Sequence, residues 1–291
     1  MKELTSEKAC LALGYFDSVH LGHRSLIEKA REFSKRLGLE CAVATFSNNA
    51  YKQFNIQEKQ VYTFDERAEI LSGLCDSILP MRFDSRLKNK SARDFLDDLL
   101  SHYNIGAFVC GYDYLFGAGA HGDADFLQSY AAEHGIECLV VPKFELNGER
   151  VSTTVVKELL QKGDVEKAKT FLGDTFFITG KVVHGRGAGR MFDIPTANIK
   201  VLGSKLLPAP GVYGTSCVVD GETYYGATNI GSRPTFGLFK QATETMLADF
   251  SDNIYDKQVK IYFHKFLRPI TKFETPAQLS KQVHKDLRWF E

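Results

Sequence analysis

The sequence predicts two domains in tandem: a parallel α/β sheet covered by helices, then an antiparallel β-barrel with a helix at the C-terminal end. Two textures predict this. Up to about residue 174, short apolar runs alternate with amphipathic segments of helical period, as in repeated β-α units whose strands are buried on both faces. From Phe176 onward, stretches rich in Val, Ile, Thr and Tyr are separated by glycine-containing turns, as in an antiparallel barrel. The change of texture places the expected domains at 1–174 and 175–291.

In order, residues 10–13 read as a buried strand, followed by helical spacing over 25–33. Residues 41–46 form a second strand, and 64–75 a helix with Ala68, Ile70, Leu71 and Leu74 on its apolar side. A short strand at 77–81 precedes a helix capped by Ser91, with Asp94 in its first turn. Strand 107–110, helix 123–134 and strand 137–141 complete the sheet, and helices at 155–161 and 165–172 lead to Gly173-Asp174. The barrel strands are expected at 176–183, 211–219, 223–228, 243–250 and 259–266, with Asp220-Gly221 as a hairpin turn. A final amphipathic helix, 276–289, carries Leu279, Val283 and Leu287 on one face.

Composition narrows the function. Lys+Arg and Asp+Glu both number 36 in 291 residues, so no overall field attracts nucleic acid or a membrane surface. No apolar run approaches membrane-spanning length, and the charged N-terminus lacks the apolar core of a signal peptide. The six cysteines form no Cys-x-x-Cys pair, which gives zinc binding no support, and Cys10, Cys41, Cys110, Cys138 and Cys217 lie in apolar runs and read as reduced core residues of a cytoplasmic protein. The partners expected are small molecules, bound by a monomer or weak homo-oligomer.

The chemistry concentrates where the first strand turns into the first helix, at Gly14-Tyr15-Phe16-Asp17-Ser18-Val19-His20-Leu21-Gly22-His23. A helix N-terminus offers free N–H groups and partial positive charge to a phosphate, and Gly22 allows close approach. Two imidazoles there can donate hydrogen bonds as charge builds during phosphoryl or nucleotidyl transfer. The plain alternative is a pair of ordinary surface histidines, which the flanking strand, helix and Phe16-Asp17 disfavour. The segment resembles the His-x-Gly-His signature of nucleotidyltransferases. In particular it resembles the form Phe-Asp-Gly-Val-His-Leu-Gly-His of bacterial bifunctional riboflavin kinase/FAD synthetases, with Ser18 where glycine is usual.

Three further loops extend the resemblance. Thr45-Phe46-Ser47-Asn48-Asn49 stands where that family shows Thr-Phe-x-Pro-His-Pro, without the prolines or the histidine. The glycine-rich stretch 111–123 is similar to Gly-x-Asp-Phe-x-Phe-Gly-x-x-Arg-x-Gly-Asp, with Ala120 in place of arginine. Arg150-Val151-Ser152-Thr153-Thr154 matches a segment that contacts ATP phosphates in the family, and Lys157 replaces an arginine one turn later. The resemblance implies a Rossmann-like nucleotidyltransferase domain. In it His20, His23 and Arg150 are catalytic, and Gly14, Phe16, Gly22, Asp113, Thr153 and Thr154 bind ATP or its phosphates.

The second half carries its own set. The basic, glycine-rich run 180–190 suits a polyphosphate. It is followed by Pro195-Thr196-Ala197-Asn198, a tetrapeptide highly specific to riboflavin kinases, and then by Asn229 to Phe236 and Glu244, all close to the family pattern apart from Asp193, where glycine is usual. The resemblance implies that Lys181, His184, Gly185, Arg186, Gly189, Arg190, Thr196 and Asn198 hold ATP, with Thr196 and Asn198 also holding Mg²⁺. It implies that Asn229 and Arg233 bind flavin and that Glu244 is the catalytic base. The expected enzyme phosphorylates riboflavin to FMN and adenylylates FMN to FAD, with ATP as co-substrate. Two rival readings remain at this stage. One is a kinase whose first half has decayed, suggested by Ser18, Asn48, Ala120 and Lys157. The other is a flavin-binding regulator without turnover, against which Glu244, Thr196 and Asn198 speak together.

Overall fold

A computed structural model describes residues 3–4, 7–54, 57–185, 196–235, 238–250 and 252–291, with backbone alone at 53, 232–235 and 238–241. The chain divides into two compact units, Met1–Thr153 and Thr154–Glu291.

The first unit runs β1 (Ala9–Leu13), α1 (Leu21–Leu37), β2 (Glu40–Phe46), α2 (Phe64–Ser72), β3 (Ser77–Met81), α3 (Ser85–Lys88), α4 (Ala92–His102), β4 (Ile105–Gly111), α5 (Ala124–Glu133) and β5 (Glu137–Val141). A short hairpin, β6 (Glu145–Leu146) and β7 (Glu149–Arg150), follows. The five long strands form one parallel sheet in the order β3-β2-β1-β4-β5. Alternate residues of β1 explain its unbroken apolarity: Leu11 and Leu13 enter one core with Leu96, Phe108 and Leu127, while Cys10 and Ala12 enter the other with Ile27, Val43 and Leu71. Pro80 is tolerated because β3 is an edge strand.

Local chemistry sets the helix ends. Ser91 accepts a hydrogen bond from the Asp94 N–H at 3.1 Å, as the sequence predicts. Several expected boundaries shift, α1 among them, which begins at Leu21 and runs to Leu37 rather than covering only 25–33. Asp123 is the cap of α5 rather than its first helical residue, accepting from the Phe126 N–H at 2.8 Å. The helix expected over 64–75 ends at Ser72, where Gly73 follows. At its start Thr63 and Glu66 form a reciprocal capping box.

Within α2, Arg67 is wholly buried. It donates to the carbonyls of Tyr62 (3.0 Å) and Phe46, and its guanidinium lies 4.9 Å from the centre of the Tyr15 ring. It therefore ties the end of β2 and the chain before α2 to the loop after β1. Replacing Arg67 with Leu removes both donors from buried carbonyls and is expected to cost about 2–5 kcal/mol. Denaturant unfolding of the full chain checks this, and a loss below about 1 kcal/mol would show that the carbonyls find other donors.

The second unit takes in almost all of α6 (Thr153–Lys162), then α7 (Val165–Leu172), β8 (Phe177–Val183), β9 (Ala197–Val201), β10 (Gly211–Val219), β11 (Glu222–Thr235), β12 (Leu238–Leu247), β13 (Gln258–Arg268) and α8 (Pro276–Leu287). Six strands close an antiparallel barrel, β10-β11-β12-β9-β8-β13. β9 was not among the expected strands, and β11 and β12 are longer or displaced relative to 223–228 and 243–250. Pairing between β11 and β12 extends to Thr235 and Leu238, beyond the reach of the apolar pattern. The Asp220-Gly221 turn has both residues at positive φ, 51° and 91°, as a tight hairpin requires.

The contact boundary falls before the textural one at 174 because α6 and α7 pack with the barrel. Leu160 of α6 accepts from the Ala209 N–H, and α7 lies on β13. α8 is held by Leu279, Val283 and Leu287 against Val212, Ala227 and Met246, by a forked Arg268–Asp286 pair, and by the Trp289 indole donating to Gly226 O at 2.8 Å. All six cysteines are free thiols, five of them buried. Burial pushes Cys10, Cys75, Cys110 and Cys217 up to about 12, and Cys41 and Cys138 to about 11.

Candidate active site

In the first unit the strand order reverses between β1 and β4, and the loops from their C-terminal ends meet at that switch point, where open α/β sheets bind ligands. The loop after β1 is strained: Phe16 (φ 53°) and the β-branched Val19 (φ 43°) are both left-handed. Asp17 holds it there. Its Oδ1 accepts from the Val61 N–H (3.0 Å), its Oδ2 from the Tyr51 hydroxyl (3.3 Å), and its carbonyl from the Tyr62 N–H (3.2 Å). A Cβ on Gly14 would lie 2.8 Å from the Phe16 ring, so only glycine lets Phe16 fold back there.

His20 caps α1. Its Nδ1 accepts from the backbone N–H of His23 at 3.1 Å, and the two imidazoles stack with centres 3.7 Å apart and planes 9° apart. That acceptor role leaves the His20 proton on Nε2. Burial lowers the His20 pKa to about 4, against the opposing pull of Asp113. His23 is pulled well below the ordinary imidazole value by burial, with smaller contributions from His20 and Arg67. Both rings are therefore neutral near pH 7. The Nδ1 of His23 is buried without a hydrogen-bond partner among the described residues.

His23 lines a cavity of about 690 Å³ shared with Gly14, Phe16, Asp113 and Gly117 to Ala120, and walled by Tyr15, Phe46, Tyr51, Phe83 and Tyr114. At its margin Arg150, on β7, pairs with Asp113 at 3.2 Å, both side chains exposed. Thr153 shares a 3.0 Å hydrogen bond with Ser18. Thr154 and Lys157 lie in the second unit's part of α6, exposed and half-buried respectively. Asn48 clamps the backbone of Phe83, donating to its carbonyl and accepting from its N–H, both at 2.8 Å. Ala120 is left-handed at φ 57°. Sequence reasoning gave no role to Arg67 or to the Asp17 carboxylate. Arg67 stands four and seven residues before Leu71 and Leu74, on the apolar stripe of the helix, but a lone charge there does not say what it binds.

In the barrel, strand register joins residues far apart in sequence. Glu244 is opposite Asn229 on β11 and opposite Asn198 on β9, so the three form one row on the outer face, each half-buried. The neighbouring residues point inward, where Thr215, Thr228 and Thr245 form a buried chain of hydroxyls with 2.8 Å links. A Cβ on Gly185 would collide with the Asn198 amide, so this glycine lets the backbone lie against that side chain. Thr196 lines a cavity of about 260 Å³ with Thr245, Phe250 and Tyr255. His184 stacks on Tyr255 at 3.8 Å, and Lys181 pairs with Asp256 at 2.8 Å. Arg186, Gly189 and Arg190 lie outside the described residues, as does the side chain of Arg233, whose backbone sits on β11 opposite Lys240.

The neutral hydroxyl and amide of Thr196 and Asn198 suit a Mg²⁺ ion carried mainly by phosphate and water. Among the described residues no group of three or more His, Cys, Asp or Glu side chains forms a dedicated metal site, and no helix is long and apolar enough to cross a membrane.

A family model for FAD synthetase matches residues 2–155, and one for riboflavin kinase matches 172–291. The bifunctional riboflavin kinase/FMN adenylyltransferase of Listeria monocytogenes is 32% identical, covering 98% of this chain and 92% of its own length. That of Bacillus subtilis is 32% identical (96% and 90%), and that of Escherichia coli 31% (98% and 93%). A solved structure described as a macrolide-efflux protein from Streptococcus pneumoniae is 28% identical, covers 97% of this chain and 93% of its own, and superposes with a TM-score of 0.88. With an FAD synthetase domain followed by a riboflavin kinase domain, and relatives of both activities aligned over nearly its whole length, the chain belongs to the bifunctional riboflavin kinase/FMN adenylyltransferase family.

Proposed function

We propose that the two steps divide between the units, each using the residues brought together there. The chain converts riboflavin to FMN and FMN to FAD, taking one ATP at each step. The observation that carries the division is the presence of two separate polar constellations, the stacked histidines at the switch point and the Asn198–Glu244–Asn229 row on the barrel.

On the barrel, the ribityl 5′-hydroxyl attacks the γ-phosphorus of ATP and ADP leaves. Glu244 accepts the hydroxyl proton, and Asn229, beside it, orients the flavin side of the reaction with Arg233. Mg²⁺, held at Thr196 and Asn198, would neutralise charge on the transferring phosphate. Lys181, His184, Gly185 and the basic run 186–190 serve the polyphosphate. Lys181 must leave Asp256 to do so.

In the α/β unit, an FMN phosphate oxygen attacks the α-phosphorus of ATP and pyrophosphate leaves. No group on the chain needs to change covalency, so positioning and charge stabilisation constitute the catalysis. The Nε2–H of His20, the ring of His23, Arg150 and N–H groups at the start of α1 supply donors. The aromatic walls of the large cavity fit a flat flavin ring. Thr153 and Thr154 fit a phosphate chain. The same reading has the enzyme act in the cytoplasm as a monomer or weak homo-oligomer, without nucleic acid or membrane, in keeping with its balanced charge.

The kinase chemistry is assigned to 175–291, with α6 and α7 serving that unit by packing. Chromatography of riboflavin, FMN and FAD after incubation with ATP and Mg²⁺ tests the whole reading. The full chain is expected to make both products, and a fragment of residues 154–291 to make FMN alone. A folded 154–291 fragment without kinase activity would overturn the division, and a full chain that stops at FMN would overturn the adenylylation step.

A further inference from the structure

Ser18 is wholly buried, and its hydroxyl has one partner among the described residues, the hydroxyl of Thr153 at 3.0 Å. Thr153 is the first residue of α6 and is half-buried. Two hydroxyls in contact can share the proton either way, but the alternatives are not equal here. If Thr153 donated, the buried Ser18 O–H would be left without an acceptor, which is costly. The favoured arrangement has Ser18 donating to Oγ1 of Thr153. Thr153 then keeps its own proton for a group on its open side, and as the acceptor of one hydrogen bond it becomes a stronger donor of the next.

We propose that Ser18 is a positioning residue for adenylyl transfer, which fixes and polarises the Thr153 hydroxyl as a donor to an ATP phosphate oxygen. The inference rests on the reading of Thr153 as a phosphate-binding residue. A glycine at position 18 cannot make this bond. The Ser18 side chain enters from the strained loop that also carries His20, immediately before left-handed Val19, so one latch joins the histidine loop to the start of α6. Without it the Thr153 side chain is free to turn to its other rotamer, since threonine in helices divides between two. The serine at 18 thus has a specific use, and it need not mark a decaying site.

The test uses the full-length chain with Ser18→Ala, Ser18→Gly, Thr153→Val and the double variant Ser18→Ala/Thr153→Val. FMN adenylylation is followed as ATP is varied, and riboflavin phosphorylation in the same preparations reports that the other unit is intact. Ser18→Ala is expected to raise the KM for ATP about fivefold with a smaller change in kcat, as for loss of one neutral hydrogen bond expressed through binding. Thr153→Val should do at least as much, and the double variant should be no worse than Thr153→Val alone, because Ser18 acts through that hydroxyl. Multiplying effects in the double variant would mean that Ser18 works by another route. Wild-type KM in both Ser18 variants, with Thr153→Val impaired, would overturn the role of Ser18 while leaving Thr153 at the phosphate. Normal kinetics in Thr153→Val would overturn the reading of Thr153 and this inference with it.

Discussion

Changing both His20 and His23 to Ala is expected to reduce FAD formation from FMN by about 10³-fold or more, while riboflavin phosphorylation stays near wild type. The size follows from what the rings offer: neutral donors held rigidly at a helix N-terminus, with no solvent reorganisation needed as charge develops. Single variants separate chemistry from structure. His20→Ala also removes the cap of α1, a loss of about 1 kcal/mol in stability. His20→Asn restores a side-chain acceptor for the His23 N–H and should recover that stability without recovering activity. Asparagine restoring turnover as well would reduce His20 to a structural cap. The low pKa sets a pH window too. His20 titrates near 4 when folded and near 6.5 when unfolded, so the unfolded chain binds more protons between those values. Its contribution to stability is complete above about pH 6.5 and declines as the pH falls toward 4. Melting curves across that range, compared with those of His20→Asn, should show the wild type losing more.

The second large effect is expected at Glu244. A primary alcohol holds its proton far above neutral pH, so the proton must leave as the new P–O bond forms. Glu244→Gln keeps the volume and the place between Asn198 and Asn229 but cannot accept that proton. The kinase kcat should fall by about 10²–10⁴-fold, with KM values for ATP and riboflavin little changed and FMN adenylylation unaffected. Turnover within a factor of about two of wild type would remove the proton-acceptor role and leave Glu244 as a polar strand residue.

Much of this architecture is legible in the sequence. The unbroken apolar runs around Cys10, Cys41 and Phe108 specify a parallel sheet because each strand feeds two cores. What escapes the sequence is partnership. α6 and α7 are amphipathic, but amphipathicity does not say which core a helix covers, and theirs is the barrel. The row of Asn198, Glu244 and Asn229 depends on strand register, which a missing β9 hid. Asn48 shows the converse. By motif it is a lost proline, yet both ends of its amide grip Phe83, so side-chain hydrogen bonds do locally what a rigid ring would do. Arg67 is the hardest to read, since charge in an amphipathic helix points to solvent unless the fold supplies buried carbonyls to receive it.

The six thiols, five of them buried and Cys138 half-buried, have a practical consequence. With pKa values of about 11 to 12, each carries thiolate at only about one part in 10⁴ or less at pH 7, and thiolate is the form that reacts with maleimides and iodoacetamide. The native chain is thus a quiet background for site-specific labelling. A cysteine introduced at exposed Lys29 or Lys272 could carry a fluorophore without prior removal of the six natural ones, placing a spectroscopic reporter on either unit of an otherwise unaltered enzyme.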